Sequence, residues 1–533
     1  MRKTIDLKKW HFKIERLHFE KDVMLPHTWN VDEQQEVQIY RGTAEYKTEI
    51  TVETLENKTV RLYFGCAYHT CSVSINGQFA GKHTGSGYTP FELDITKYLT
   101  VGKNEVSVTV DNRKSADMLP YKMNFDWADD GGLTRNVLLN IYDSDDILNA
   151  ELTTEITNMN GSFCSGNLNL KIEATPQDFQ IDLVDYETDE VVLSHRTFVN
   201  KFISIPFTDL KLWNIDTPHL YWIKILTKGD RYTFRTGFRT IKVKNAKVLL
   251  NGKEIYLKGC EWMPGSSPDY GMAEPIEVSR KYLSLMKEAG CVFTRFHWQQ
   301  DDALFDWCDE NGLLVQEEIP YWGNPKKATQ KQFEIAKNQA ADMVHYHAHH
   351  PSIICWGVGN ELGARCRKTI KYVEDMYGYF KSLDGSRLVN YVSNTLHEKK
   401  RFLKDDATLH GDIAMWNDYL GLWLKCKDID QTIHETYERC GNMPSLVSEF
   451  GLCEPFFKGG DTRRAEILKQ RVAIYKTLPN MVGYVWFSLN DYRTHCGEEG
   501  KGKMKQRVHG STDLCGNKKP SYYTLKEFNY KNE

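Results

Sequence analysis

The sequence predicts a multidomain protein. A jelly-roll β-sandwich spans residues 1–143, an immunoglobulin-like β-sandwich spans 144–242, and a C-terminal (β/α)8 TIM barrel spans 243–533. Three observations predict this order. Up to about residue 240, short alternating apolar runs are broken by turn residues, with no helical period over a useful length. Beyond about residue 245, strand-like runs alternate with helix-length segments. Eight such alternations fit into about 285 residues, the pattern of a (β/α)8 barrel.

Within the first segment, 59–64 and 71–75 read as strands, Asn76-Gly77 supplies a tight hairpin turn, and 104–110 alternates almost ideally. This is the pattern of an all-β sandwich, read as a jelly roll. The second segment has strands at 168–172 and 221–226, and its length of about 100 residues suits one immunoglobulin-like unit. In the third, Val278, Tyr282, Leu285, Met286 and Ala289 fall on one helical face. Its eight strand-like runs are 255–262, 291–297, 313–318, 352–359, 388–394, 412–417, 445–449 and 482–489. A chain of 533 residues is too long for one core and suits about three or four domains.

Composition excludes several classes of function. The formal charge of −4, with Lys and Arg scattered, leaves no basic footprint for nucleic acid. No run of about 18 apolar residues exists, so no membrane partner is expected. The first ten residues contain no apolar core of a signal peptide. Thirteen cysteines, an odd number without regular spacing, read as thiols of a reducing compartment; Cys291 and Cys355 lie inside apolar runs. The expected location is therefore the cytoplasm. No CxxC pair or His/Cys cluster has zinc spacing, and no metal or cofactor is expected. The aromatic content of 12% serves large cores and suits sugar sites equally well.

Barrels place chemistry at the C-terminal ends of their strands. Glu261, His297, Glu318, Asn360-Glu361, Asn394, Glu449 and Trp486 to Asn490 occupy those ends. Glu361 follows Trp356-Gly357-Val358-Gly359-Asn360, and Glu449 sits in Leu446-Val447-Ser448-Glu449-Phe450-Gly451. Two such carboxyls are the minimum for cutting a glycosidic bond, one donating a proton and one attacking the sugar. A close pair takes unequal protonation states, because each charge raises the pKa of the other. Chemistry alone does not say which glutamate has which role. Asn360 is placed to bond a sugar 2-hydroxyl. His297 reads as a substrate contact or a structural hydrogen bond, and Tyr419 as a phenol holding a carboxylate or a rim aromatic. Trp486 reads as a sugar platform or a core residue. Glu318 is either an orienting group or, preferably, an ion-pair partner. His349-His350 before Pro351 reads as a helix end capping carbonyls rather than a metal site. Gly85-Ser86-Gly87 and Gly500-Lys501-Gly502 lack the strand-to-helix context of a phosphate loop.

Longer motifs point the same way. They include Leu25-Pro26-His27-Thr28-Trp29-Asn30, Tyr40-Arg41-Gly42-Thr43-Ala44, Asp111-Asn112-Arg113 and Gly131-Gly132-Leu133-Thr134-Arg135-Asn136-Val137. Asn251-Gly252-Lys253, Glu318-Ile319-Pro320 and His350-Pro351-Ser352 through Asn360-Glu361 continue the series. With these residues the chain resembles glycoside hydrolase family 2, the group of β-galactosidases, β-glucuronidases and β-mannosidases, over nearly its whole length. The resemblance implies Glu361 as acid/base and Glu449 as nucleophile. It also implies that Asn360, His297, Tyr419, Trp486 and, from Phe125-Asp126-Trp127, Asp126 line the site of the released sugar. Family members are often dimers or tetramers, so a homo-oligomer is a further implication. The divalent-metal motif of large β-galactosidases is not recognisable.

Leu119-Pro120, Phe125-Asp126 and Ser448-Glu449-Phe450-Gly451 lean toward the glucuronidase branch. That branch reads the uronate with an Asn-x-Lys motif, absent from its expected register near Arg507-Val508-His509-Gly510. Asn517-Lys518-Lys519 fits the string in a different context and is read as coincidence; Arg493, Arg507 or Lys505 offers another route to an acidic sugar. The expectation is a retaining exo-β-glycosidase acting on a carbohydrate substrate, with β-galactosidase leading and β-hexuronidase as the alternative. An inverting hydrolase and a non-catalytic carbohydrate-binding protein are the rivals.

Overall fold

The computed structural model describes residues 2–121, 126–143, 146–199, 201–323, 328–398, 405–454, 456–494 and 505–530. The first sandwich packs a four-stranded sheet, including Lys58–Phe64 and Val137–Asp143, on a six-stranded sheet whose centre is Thr43–Val52 and Gly102–Asp111. Period-two alternation explains the packing. Along Gly102–Asp111 the side chains of Val106, Val108 and Val110 turn inward, where they meet Phe12, Tyr46 and Leu62. The hairpin joining Thr70–Ile75 to Gln78–His83 turns on Asn76 (φ 51°) and Gly77 (φ 76°), the left-handed pair that a two-residue hairpin turn demands.

The second sandwich sets three strands (Asn149–Asn160, Phe163–Glu173, Phe202–Lys211) against four (Gln177–Asp185, Val191–Val199, Tyr221–Leu226, Arg231–Thr236). A small sheet, Ile241–Lys244, Lys247–Leu250 and Lys253–Glu254, then leads into the barrel.

Eight parallel strands close that barrel: β1 (Leu257–Glu261), β2 (Phe293–Phe296), β3 (Leu314–Glu318), β4 (Ile353–Asn360), β5 (Leu388–Ser393), β6 (Ala414–Asn417), β7 (Ser445–Phe450) and β8 (Met481–Phe487). The barrel strands are covered on both faces, and β2 to β8 are buried at every position, the polar residues among them included. Helices cover the outside. Asp302–Asn311 shows why one forms where it does: the Asp301 carboxylate accepts from the Ala303 amide at 2.9 Å, and Gly312 ends the helix at φ 62°. The N-cap is worth about 1 kcal/mol. A Cβ on Gly312 would lie 2.2 Å from the Ile215 carbonyl oxygen, so this glycine also docks the barrel on the second sandwich. Between β5 and β6 the described residues contain only the 3-10 turn Ala407–His410.

Trp213 and Leu220 of the second sandwich, with Val248 and Leu250 of the small sheet, pack against Phe293, Leu314, Ile354 and Val482. That cluster fills the N-terminal end of the barrel and leaves the C-terminal end for chemistry. Among the described residues no helix is long and apolar enough to cross a membrane. None of the twelve described cysteines is in a disulfide.

Candidate active site

Two glutamates open on one cavity of about 280 Å³ at the C-terminal end of the barrel. Strand β4 delivers the first. Its register against β5 slips between Gly357 and Asn360, a bulge that turns consecutive residues toward the cavity. Both glycines are required here. A Cβ on Gly357 would meet the Glu318 side chain at 2.7 Å, and Gly359 has φ 148°. Glu361 itself adopts φ 54°, a left-handed conformation uncommon for a side-chain-bearing residue, held by its amide donating to the Val392 carbonyl at 2.9 Å. Its carboxylate accepts from Asn417 Nδ2 at 2.8 Å and from Trp322 Nε1 at 3.3 Å.

Glu449 on β7 is held from several sides. Arg295 Nη1 donates to its Oε1 at 2.8 Å, Asn360 Nδ2 reaches the same oxygen at 3.4 Å, and the Tyr419 hydroxyl donates to Oε2 at 3.0 Å. Arg295 is itself clamped by Glu318, Nε to Oε2 at 3.1 Å and Nη2 to Oε1 at 3.0 Å. Glu318 is thus an ion-pair partner and, through Arg295, an orienting group at once. Its neighbour Glu317 points the other way and contacts His347 Nδ1 at 3.0 Å, as strand alternation requires. Asn417 Nδ2 also reaches Asn360 Oδ1 at 3.3 Å, so two amides link the two carboxyls.

The carboxyls experience different fields. Burial, and then the charge of Glu449, raise the Glu361 pKa to about 7. Glu449 instead faces the Arg295 guanidinium and the Tyr419 hydroxyl. On His297, burial opposes protonation, but Glu261 and the neighbouring carboxylates outweigh it and raise the pKa. Its Nε2 lies 3.2 Å from Glu261 Oε1. Burial likewise lifts Glu261 to about 7. A carboxyl whose pKa rises on folding favours the native state at low pH and loses that contribution as pH climbs through the native value. Glu361→Gln should therefore gain thermal stability relative to the wild type between pH 5 and pH 8. A melting-temperature difference that is flat over this range would contradict a raised Glu361 pKa.

The first sandwich supplies one wall. Trp127 stacks on His297 (5.5 Å between centroids, 8° between planes) and on Trp298 (4.8 Å). Asp126 lines the cavity and accepts from Tyr492 Oη at 2.8 Å and Arg507 Nε at 2.7 Å. Asn360, His297, Tyr419, Asn394 and Arg507 also line it. Trp486 does not. It is fully buried outside the barrel wall, edge-on to Phe450 and donating to Ser511 Oγ at 2.9 Å. The next residue, Phe487, faces the cavity instead, because side chains alternate along the strand.

Other expectations need similar correction. His350 caps no helix carbonyl; it is buried between Asp309 (2.6 Å) and Asp302 (2.9 Å). Asn517-Lys518-Lys519 needs none, being read as a coincidence: Asn517 donates to Asp513, Lys519 to Asp491, and neither lines the cavity. Arg493 is buried against Asp130 at 2.7 Å, also away from the cavity. Gly500-Lys501-Gly502 lies outside the described residues. The residue patterns gave little warning of Trp322, Asn417, Met263 or His509. Asn417 had one signal, its place at the end of a strand-like run.

Glu261, His297 and Glu449 bring ligand-type atoms within 4.8 Å of one another. Arg295 lies 2.8 Å from Glu449 and 3.6 Å from Glu261, so the positive charge these acids call for is already provided by the protein.

Comparison with known proteins agrees with this architecture. The sugar-binding domain model of the glycosyl hydrolases of family 2 matches residues 10–141, a further model of that family matches 136–239, and its TIM-barrel model matches 241–471. A putative beta-glucuronidase of Formosa agariphila is 32% identical over 363 residues, covering 64% of this chain and 43% of that protein. A beta-galactosidase of Thermoanaerobacter pseudethanolicus is 29% identical over 423 residues, covering 72% and 51% respectively. The chain thus spans about half the length of these two relatives. The solved beta-D-glucuronidase of Dictyoglomus thermophilum superposes with a TM-score of 0.87 over 100% of this chain and 98% of that one, at 22% identity, a likeness of fold.

Proposed function

Because the chain belongs to the glycosyl hydrolases of family 2, we propose that it is a retaining exo-β-glycosidase, removing terminal non-reducing β-linked sugars by double displacement. Glu449 attacks the anomeric carbon while Glu361 protonates the departing oxygen. Water, deprotonated by Glu361, then hydrolyses the glycosyl ester on Glu449. One observation carries the reading: two carboxyls face one cavity in different surroundings, Glu449 clasped by Arg295 and Tyr419, Glu361 buried with its pKa raised to about 7. Asn360, beside Glu449, is the donor for a sugar 2-hydroxyl, and Asp126 and His297 offer partners to the other hydroxyls. At about 280 Å³ the cavity is at the small end of ligand sites and suits about one sugar ring. Cysteines without a disulfide among the described residues suit a reducing compartment, the cytoplasm.

Two sugars compete for the site. A neutral β-galactoside suits Asp126, whose free lone pairs would accept from hydroxyls. A β-hexuronide is favoured by Arg507, the one arginine or lysine among the described residues lining the cavity. Its Nε is engaged by Asp126, and its remaining N–H groups are suited to a sugar carboxylate. Nitrophenyl β-galactoside, β-glucuronide, β-galacturonide and β-mannoside, assayed side by side, decide between them. If a hexuronide is preferred, Arg507→Leu should lower the hexuronide-to-galactoside ratio of kcat/KM by about 10²-fold. An unchanged ratio removes Arg507 from the recognition of charge. Inactivity on all four, with sugar binding intact, would favour a carbohydrate-binding protein. Proton NMR of the first-formed product tests retention: an initial α-anomer would assign an inverting mechanism.

A further inference from the structure

We propose that Asp302, His349 and His350 form a zinc site between the helix Asp302–Asn311 and the link from Gln330–His347 to β4, apart from the catalytic cavity. The three side chains bring one ligand atom each within 4.8 Å of one another. Asp302 Oδ1 lies 2.9 Å from His350 Nε2 and 3.7 Å from His349 Nε2. Tetrahedral ligands bonded to zinc at about 2.0–2.1 Å stand about 3.3 Å from one another, between those two separations. A small shift of the carboxylate and the two rings therefore seats the ion.

The residues behind the ligands are arranged as a metal requires. His350 Nδ1 is bonded to Asp309 Oδ2 at 2.6 Å, and Asp309 is itself fixed by the Ser352 amide, which donates to its Oδ1 at 2.9 Å. A carboxylate behind an imidazole orients the ring and commits its other nitrogen to the ion. His349 is aimed from the second sandwich. The Thr236 hydroxyl donates to its carbonyl at 2.9 Å, and Phe234 meets its ring edge to face at 5.8 Å. His350 is buried, whereas the side chains of Asp302 and His349 are 49% and 21% exposed, so water can complete the coordination. Two imidazoles and one carboxylate are ligand types that zinc takes, while magnesium and calcium prefer oxygen alone. The ion replaces the proton between His350 Nε2 and Asp302, and that proton leaves to solvent.

Charge separates this set from the other three groupings of ligand-type side chains among the described residues. Arg295 serves Glu261 and Glu449 in the catalytic cavity. Arg235 is ion-paired to Asp306, which discharges the set of Asp306, Asp309 and His350. Asp185, grouped with Glu187 and His219, already accepts from the Glu187 and Thr188 amides and has Lys211 at 3.9 Å. Among the described residues no lysine or arginine is ion-paired to Asp302. Zinc there clips the helix Asp302–Asn311 to the link that leads into β4, the strand that ends beside Glu361.

The test titrates zinc chloride into the full chain, freed of metal by chelation, and follows binding by calorimetry in the wild type, His349→Ala and Asp302→Asn. Both substitutions fall on partly exposed side chains. The wild type should bind one zinc, each variant should bind it at least about 10-fold more weakly, and zinc should raise the melting temperature of the wild type more than that of either variant. Cobalt(II) in the wild type should give visible absorption without a thiolate charge-transfer band, a readout that needs no variant. No binding by the wild type, or equal affinity in all three proteins, overturns the site. A thiolate band, or binding lost in Cys515→Ser, assigns the ion to the exposed Cys515 and overturns it too. Binding lost only in Glu261→Gln does the same by placing the ion in the catalytic cavity. None of these readouts depends on turnover of a glycoside.

Discussion

Replacing Glu449 with glutamine is expected to lower kcat on an aryl glycoside by at least about 10⁴-fold, because no covalent intermediate can form. The amide retains the size of the side chain and still accepts from Tyr419, so substrate affinity should change far less than rate. Removing the charge has a second consequence. Glu449 is one of the causes holding the Glu361 pKa up, so the Glu361 carboxyl should titrate at lower pH in the variant. In Glu449→Ala, azide should occupy the vacated space and yield a glycosyl azide of the anomeric configuration opposite to the substrate. Product of the original configuration, or a loss of less than 10²-fold on the order of catalysis by one acid alone, would assign the nucleophile elsewhere.

Glu361→Ala should produce a loss that depends on the leaving group. A methyl glycoside departs as an alkoxide unless protonated, and its kcat/KM should fall by about 10³- to 10⁴-fold. A dinitrophenyl glycoside departs as a stable phenolate, and its first step should slow by less than about 10-fold. The wild-type enzyme should lose kcat/KM for the methyl glycoside as pH rises past 7, where the Glu361 proton is shed. That alkaline limb should vanish in the variant. Equal losses across leaving groups, or a limb that persists, would show that Glu361 does not donate the proton.

The barrel was legible because fully covered parallel strands carry apolar runs, and Ile353–Asn360, apolar through Val358, is a clear case. Position at the ends of those runs was enough to bring Glu361 and Glu449 to attention. Side-chain direction was harder. Tyr484-Val485-Trp486-Phe487 is apolar on both faces, so composition cannot tell which residues point inward, and Trp486 was placed in the sugar site when Phe487 holds that position. The bulge after Gly357 is equally invisible, although it lets adjacent Asn360 and Glu361 share a cavity. His349-His350 looked like a helix cap because Asp309 and Asp302, the partners of His350, lie more than forty residues away in sequence. Trp322 and Asn417 act through hydrogen bonds to Glu361 that tertiary structure alone creates. Asp126 was found only through motif likeness, since nothing local in a β-sandwich loop announces that it reaches a barrel.

That reach matters beyond the residues it delivers. With Trp127 lying flat on His297 and Asp126 bonded to Tyr492 and Arg507, the amino-terminal module is a structural part of the reaction chamber. An isolated barrel would retain both glutamates yet open a side of the chamber to bulk water, weakening the burial that raises the Glu361 pKa. Chimaeras that exchange only the amino-terminal module should consequently inherit a different choice of sugar while the catalytic carboxyls stay the same.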